Sequence, residues 1–275
     1  MLLNLRTIHR PDTIADAVAL LQQPNTYPLY GGAALQRSPR PEVEIGIDVS
    51  QLALDYVHDS QNSVRLGAML TLEQVRDACM ERAAQHPKIG GIAAALAADF
   101  PETLRHTLRL GDLLMERDPQ SLTITLLVAL GAILKRVDVD MHFTMMTWLG
   151  MNQDIASHLI AHARITRGPQ RAAVAFEKVA RTPADAPIVG AAAYTEVLDA
   201  QSRYTALALC GVADTPIPQP LAAQYLDETG DLDGALDRLR LDPPDDHWGS
   251  REYRAEMARV VSRRALQRAS EQAEG

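Results

Sequence analysis

The pattern of apolar residues at the start of the chain predicts a strand, a helix and a second strand that ends at a glycine turn. Apolar residues recur at three- and four-residue spacing between Ile14 and Leu21, and Asp12 or Thr13 precedes them as a capping residue. The second strand stops at the adjacent glycines of residues 27–36, YPLYGGAALQ. Two further segments alternate in the way that is typical of strands, residues 43–49 and 64–69.

The middle of the chain favours helices. Thr71 is followed three residues later by Gln74, a capping-box pattern that predicts a helix over residues 71–82. Three more elements are predicted here: a helix over residues 88–98, a buried helix that runs into a strand over residues 121–134, and a strand over residues 156–165.

Residues 166–169, TRGP, are typical of a linker, and the pattern of apolar residues changes after them. Three apolar segments then predict a meander of strands, and a long amphipathic helix over residues 250–267 ends the pattern. Tyr253, Met257, Val260 and Val261 mark the face of this helix that we expect to be buried. The predicted strands are residues 172–180, 188–200 and 203–213, and two short helices follow at residues 221–228 and 232–240.

These elements predict an α+β protein with two domains, residues 1–168 and 169–275. The 275 residues carry a formal net charge of −8, which argues against a nucleic-acid partner that needs a basic face. No run of eighteen apolar residues is present, so we expect no membrane span and a cytoplasmic protein. Cys79 and Cys210 stand far apart and outside any C-x-x-C pair, which favours free, buried thiols.

Candidate chemistry begins with the glycine pairs. Gly31-Gly32 lets successive N–H groups face one side of a turn, an arrangement that suits a phosphate, although such a pair taken alone is more often a purely structural turn. Gly111-Asp112 allows the same two interpretations, amides open to a ligand or a turn with a capping carboxylate. The histidines have no metal-ligand spacing, and no nucleophile stands beside a base, so we predict neither a metal site nor a catalytic residue.

Taken in order, several segments resemble the FAD-binding medium subunit of molybdenum hydroxylases, the family of carbon monoxide dehydrogenase and xanthine dehydrogenase. The most specific match is DDHWGSREYRAEMARVVSRRAL, residues 245–266, which is similar to the end of the family's C-terminal domain. The other matching segments are IHRPDTIADAVALLQ, PLYGGAAL, LGAMLTLEQV, TLRHTLRLGDLL, PQSLTITLLVALGA and AFEKVARTPADAPIVGAAA.

The resemblance implies a two-lobed, type-2 (PCMH-like) FAD-binding region. A smaller α+β domain with a three-stranded antiparallel sheet and helices follows it. It also implies an iron–sulfur (2Fe–2S) small subunit and a molybdopterin large subunit as partners. Substrate would be oxidised at molybdenum, and electrons would leave through FAD to an external acceptor. The resemblance therefore implies the flavoprotein subunit of a multi-subunit dehydrogenase.

The resemblance places the family's FAD contacts on two loops of this chain and on residues around them. At several of these positions the chain has a residue that differs from the usual one in the family. Ala33 and Ala34 replace the usual polar pair, Leu110 replaces the first glycine of the second loop, and Asp112 replaces an asparagine. An ionised Asp112 would repel a pyrophosphate. The departures leave a rival open, a flavin-free homologue that bridges other subunits. The predicted cofactor-binding residues are Gly31, Gly32, Ala33, Ala34, Leu35, Thr71, Gly111, Asp112, Ser121 and Lys178.

Overall fold

A computed structural model describes residues 4–151, 155–183, 185–199 and 202–274. The chain divides into two compact units, each built from several stretches of sequence. The first unit contains residues 1–75, 102–117 and 132–166, and the second contains residues 76–101, 118–131 and 167–275. The chain enters the second unit for the last time within the predicted linker. The domain division at residue 168 stays a prediction.

The first unit is built on two sheets. A three-stranded parallel sheet has the order β1-β3-β2, and a five-stranded antiparallel sheet has the order β4-β5-β8-β6-β7. The strands are β1 (Thr7–His9), β2 (Thr26–Leu29), β3 (Ile45–Asp48), β4 (Val57–Asp59), β5 (Ser63–Gly67), β6 (Ile133–Arg136), β7 (Met141–Thr144) and β8 (Ile160–Thr166). The helices are α1 (Ile14–Leu21), α2 (Ala33–Arg37), α5 (Glu102–Thr107), α6 (Leu110–Glu116) and α8 (Met145–Leu149).

The second unit is built on one antiparallel sheet with the order β12-β11-β10-β9. The predicted three-stranded meander is confirmed, and a two-residue strand extends it at one edge. The strands are β9 (Ala172–Val179), β10 (Val189–Val197), β11 (Arg203–Cys210) and β12 (Ile217–Pro218). The helices are α4 (Pro87–Asp99), α7 (Leu122–Ala129), α9 (Pro220–Thr229), α10 (Leu232–Leu236) and α11 (Arg251–Glu274). Helix α3 (Leu72–Arg82) begins in the first unit and continues into the second.

Capping chemistry fixes the helix starts that the sequence predicts. The Thr13 hydroxyl accepts a hydrogen bond from the Asp16 N–H at 3.1 Å and caps α1. Thr71 and Gln74 form the reciprocal capping box before α3, with distances of 2.9 and 3.1 Å. Cys79 and Cys210 are free and buried, as predicted.

The buried face of α11 agrees only in part with the predicted one, since Val261 is buried as predicted. Tyr253 is 41% exposed, whereas the buried positions are mainly small residues and one arginine, Arg254. Strand β10 presents a run of alanines at this layer, so the helix packs closely through its own alanines. Of the residues that suggested this face, Val261 lies in the core, Met257 packs partly buried against it, and Tyr253 lies outside it.

Strand β8 is shorter at its start than predicted. A 3₁₀ turn occupies residues Ile155–Ser157, and the strand begins only at Ile160. His158 therefore lies before the strand, where its Nδ1 atom is 2.7 Å from Arg136 Nη2. The alternating pattern alone could not separate this 3₁₀ turn from the strand that follows it.

Candidate functional site

The first glycine loop joins β2 to α2 and contains three successive backbone amides, of which Gly31 is exposed and Gly32 is buried. Gly32 has φ of +78°, a left-handed conformation that favours glycine, and α2 begins at the next residue. Within the described part of the chain, the N–H groups of Gly31, Gly32 and Ala33 donate to no acceptor. A Cβ placed on Gly32 would meet nothing within 4 Å. The described part of the loop therefore has backbone donors that no protein group uses, with open space at the Cβ position of Gly32.

Gly111 belongs to the first turn of α6, and its role is to accommodate an aromatic ring. A Cβ at this position would lie 2.2 Å from Cγ and Cδ1 of Tyr30. The Tyr30 hydroxyl is itself fixed, because it donates to the Ile160 carbonyl at 3.0 Å and accepts from the Ile160 N–H at 2.7 Å. The Gly111 N–H donates to the Ala68 carbonyl at 2.8 Å. This amide is thus already engaged by the protein.

Asp112 is a capping residue, and its carboxylate connects the two predicted loops. One oxygen accepts from the Arg109 N–H at 3.1 Å, and the other lies 3.4 Å from the Ala34 nitrogen. Burial raises the pKa of this carboxyl, whereas the hydrogen bonds from Arg109 and Ala34 act to lower it. A Cβ on Gly31 would lie 3.3 Å from the same carboxylate. An internal acidic group therefore occupies the end of the glycine loop.

Arg109 was not predicted as a site residue, yet it lies beside the same loop. Its Cγ atom is 3.4 Å from the position of a Cβ on Gly31, and its guanidinium donates to the Met69 carbonyl at 2.6 Å. The guanidinium brings a positive charge to the loop. The sequence carried no motif for this residue, because its position depends on the turn that precedes α6.

Leu35 and Thr71 also belong to the first unit and have structural roles there. Leu35 is a buried residue of α2 that contributes to the core. The Thr71 hydroxyl accepts the Gln74 N–H, which leaves its own O–H proton available to another acceptor.

Ser121 and Lys178 lie in the second unit, and both have protein partners. Ser121 caps α7 by accepting the Ile124 N–H, and its hydroxyl donates to Asp99 at 3.0 Å. The Lys178 ammonium donates to the carbonyls of Ala98 and Asp185 at 3.1 and 2.9 Å. Two of its three protons are thus used, and one is available to a ligand.

Asp99 is a further acidic residue, half-buried, that the sequence analysis missed. Its carboxylate accepts from the N–H groups of Leu122 and Thr123 as well as from Ser121. Burial raises its pKa despite these hydrogen bonds. The first turn of α7 contains no acidic residue, so Asp99 supplies the carboxylate that favours the positive end of the helix dipole.

Residues 4–154 match the family described as the FAD binding domain in molybdopterin dehydrogenase. The match covers more than half of the chain, and it spans both glycine segments. The chain belongs to this family. FAD is the family's cofactor, as the sequence resemblance implied.

The relatives and solved structures extend the likeness over the C-terminal residues. The carbon monoxide dehydrogenase medium chain of Afipia carboxidovorans is 28% identical, and the alignment covers 96% of each chain. Escherichia coli YgfM is 28% identical over 45% of this chain and 46% of its own length. A reconstituted carbon monoxide dehydrogenase from Oligotropha carboxidovorans has a TM-score of 0.83 at 25% identity, with 98% of both chains covered. These findings confirm the resemblance to the medium subunit of molybdenum hydroxylases.

The fold persists at lower identity. A carbon monoxide dehydrogenase from Hydrogenophaga pseudoflava gives a TM-score of 0.84 at 21% identity, with 98% of both chains covered. Among the described residues, no helix is both long and apolar enough to cross a membrane. The same residues contain no group of three His, Cys, Asp or Glu side chains placed to hold a metal ion.

Proposed function

We propose that this chain holds FAD in a molybdenum-hydroxylase-type complex through the backbone amides of the first glycine loop. The observation that carries the proposal is the run of N–H groups at Gly31, Gly32 and Ala33 that have no acceptor among the described residues. Neutral backbone donors suit a pyrophosphate, and Arg109 adds a positive charge beside them. The loss of polar side chains at positions 33 and 34 leaves these backbone donors intact.

The other predicted contacts keep narrower roles in the proposal. Thr71 offers one hydroxyl proton, and Lys178 offers one ammonium proton. Ser121 offers an acceptor lone pair only, since its proton goes to Asp99. Gly111 contributes through the space that it leaves for Tyr30, and Tyr30 in turn supports the segment that leads into the glycine loop.

The chemistry that FAD supplies when bound is electron transfer from iron–sulfur clusters to an external acceptor. The proposed partners are the 2Fe–2S small subunit, which would carry these clusters, and the molybdopterin large subunit, where substrate would be oxidised. The medium-chain likeness of 28% over nearly the whole chain supports this assembly. The expected cytoplasmic location belongs to the same proposal.

A second candidate is a flavin-free homologue that bridges the other subunits. The position of Asp112 favours it, because the carboxylate already lies against the Ala34 nitrogen at the end of the loop. A buried negative charge here opposes a second negative group. The two candidates differ in the occupant of the loop and share the same partners.

Purification of the complex with its natural partners separates these candidates. We expect a visible flavin spectrum, together with two further subunits that contain a molybdopterin site and a 2Fe–2S site. A complex that contains those subunits and no flavin would establish the bridging role instead. A chain that is recovered alone under gentle conditions would contradict both.

Replacement of Asp112 by asparagine should tighten FAD binding about five- to tenfold. The amide oxygen still accepts one backbone N–H, whereas the charge that opposes a pyrophosphate is removed. Fluorescence titration of the flavin-depleted complex measures the change. Asp16→Asn is the matched control, because Asp16 is an exposed first-turn residue of α1. Equal affinities for wild type and Asp112→Asn would show that this carboxylate does not face the ligand.

A further inference from the structure

One face of the five-stranded sheet carries basic side chains from four neighbouring strands. Arg65 of β5 lies directly opposite Arg164 of β8 in the strand register. Lys135 of β6 lies opposite both His162 of β8 and His142 of β7. Because side chains alternate along a strand, all five residues share one face. We call this set the basic sheet face.

The two arginines of the basic sheet face are not balanced by acidic residues in the described part of the chain. In the part of the chain that the structure describes, no carboxylate pairs with Arg65 or Arg164. Asp140 pairs with Lys135 and also acts on His142. Like charges directly opposite each other destabilise a sheet. The chain as a whole has a net charge of −8, so this concentration of positive charge is local.

Two buried donors on this face have no acceptor. His162 is 7% exposed, and its Nδ1 atom lies 2.7 Å from the Tyr56 hydroxyl. We assign the hydroxyl as the donor, because the phenol is the stronger acid, so the ring proton lies on Nε2. His162 Nε2 and Arg164 Nε are both buried and have no hydrogen-bond partner among the residues that the structure describes. Buried donors without acceptors are costly, and an added acceptor would satisfy them.

We propose that the basic sheet face binds an oxyanion of the phosphate type, held by Arg65, Arg164, Lys135 and the Nε2–H of His162. Arginine presents planar donors that match phosphate oxygens, and a lysine adds a point charge. The bound anion separates the opposed arginines and accepts from both orphan donors. The site lies on strands β5, β6 and β8 and uses no residue of the glycine loop, so it is independent of the flavin proposal.

The pKa of His162 provides a direct measure of anion binding at this face. Burial and the neighbouring Arg65, His142, Lys135 and Arg164 hold its pKa at about 4. Asp140 acts on the same patch from the turn after β6, and Tyr56 holds the ring from the segment before β4. A bound phosphate adds negative charge beside the ring and raises this pKa.

The test is an NMR pH titration of the histidine ring nitrogens in the full-length protein. Inorganic phosphate is added in one series and chloride at equal ionic strength in the other. We expect phosphate to raise the pKa of His162 by about one unit and chloride to leave it near 4. Identical titrations in phosphate and chloride would overturn the proposal without any variant.

Substitutions then assign the donors. Arg164→Gln should weaken phosphate binding at least about tenfold, as expected for the loss of a charged hydrogen bond. Arg164→Lys keeps the charge and loses the buried Nε donor. Its phosphate affinity should therefore lie between those of the wild type and Arg164→Gln. Arg6→Gln is the control, because Arg6 forms an exposed pair with Glu44 on the other sheet. Equal phosphate affinity in wild type and Arg164→Gln would contradict the assignment.

Discussion

Arg254→Met should lower the free energy of unfolding by about 3 kcal/mol, one of the two largest effects that we expect in this protein. Arg254 is 1% exposed, and its guanidinium makes four short hydrogen bonds. Two go to the carbonyls of Ile188 and Gly211 at 2.7 and 2.8 Å, and two go to the Asp246 carboxylate at 2.7 and 2.9 Å. Methionine fills the volume and leaves these acceptors unpaired.

Chemical denaturation measures this change, and Arg259→Met on the same helix is its control. Arg259 is paired with Asp237 at 2.7 Å, but both side chains are largely exposed, so its loss should cost less than about 1 kcal/mol. Arg254→Lys should restore part of the stability, since one ammonium cannot reach all four acceptors. If the Met variants at 254 and 259 are equally stable, the buried network contributes nothing measurable.

Gly111→Ala should also cost about 3 kcal/mol, because its methyl group would lie 2.2 Å from the Tyr30 ring. Both hydrogen bonds of the Tyr30 hydroxyl to Ile160 hold the ring, which therefore cannot move aside cheaply. The disturbance reaches the segment before the glycine loop, so the variant should also lose flavin content. Denaturation and released-flavin fluorescence measure the two effects.

Gly150→Ala is the matched control for this substitution. The nearest atom to a Cβ on Gly150 is the Met146 carbonyl oxygen at 3.5 Å, an ordinary contact, and φ is −77°. Its stability should stay within about 0.5 kcal/mol of wild type. In a Tyr30→Leu background the cost of Gly111→Ala should shrink, because the ring that causes the clash is gone. An unchanged cost there would mean that another group sets the requirement for glycine.

Local chemistry explains the parts of the fold that could be predicted. The Thr71–Gln74 capping box and the Thr13 cap act over three residues, so the sequence contains all that is needed to place them. Strands β9, β10 and β11 of the second unit were predicted because their apolar runs are long and bounded by turn residues.

The parts that were missed depend on residues far apart in the chain. The buried face of α11 follows from the small side chains of β10, which lie more than fifty residues earlier. The role of Gly111 depends on Tyr30, and the role of Asp112 depends on Ala34. A single glycine or carboxylate carries no sign of which distant group will contact it, so both interpretations of Gly111-Asp112 were open from the sequence.

The glycine loop likewise has one feature that the sequence predicts and one that it does not. Its conformation could be anticipated, because adjacent glycines favour a turn with left-handed backbone, and Gly32 has that conformation. The position of Arg109 beside the loop could not be predicted, because this arginine reaches the loop only through the turn before α6. The proposed pyrophosphate donors are therefore backbone groups, with one side chain that the motif does not contain.

The flavin content of the complex tests the central claim most directly. Acid release of the cofactor from the complex purified with its partners, followed by quantification of FAD against the amount of this chain, gives the occupancy. We expect close to one FAD per chain. A complex that contains its partner subunits and no FAD, and that takes up none when FAD is added, would contradict it.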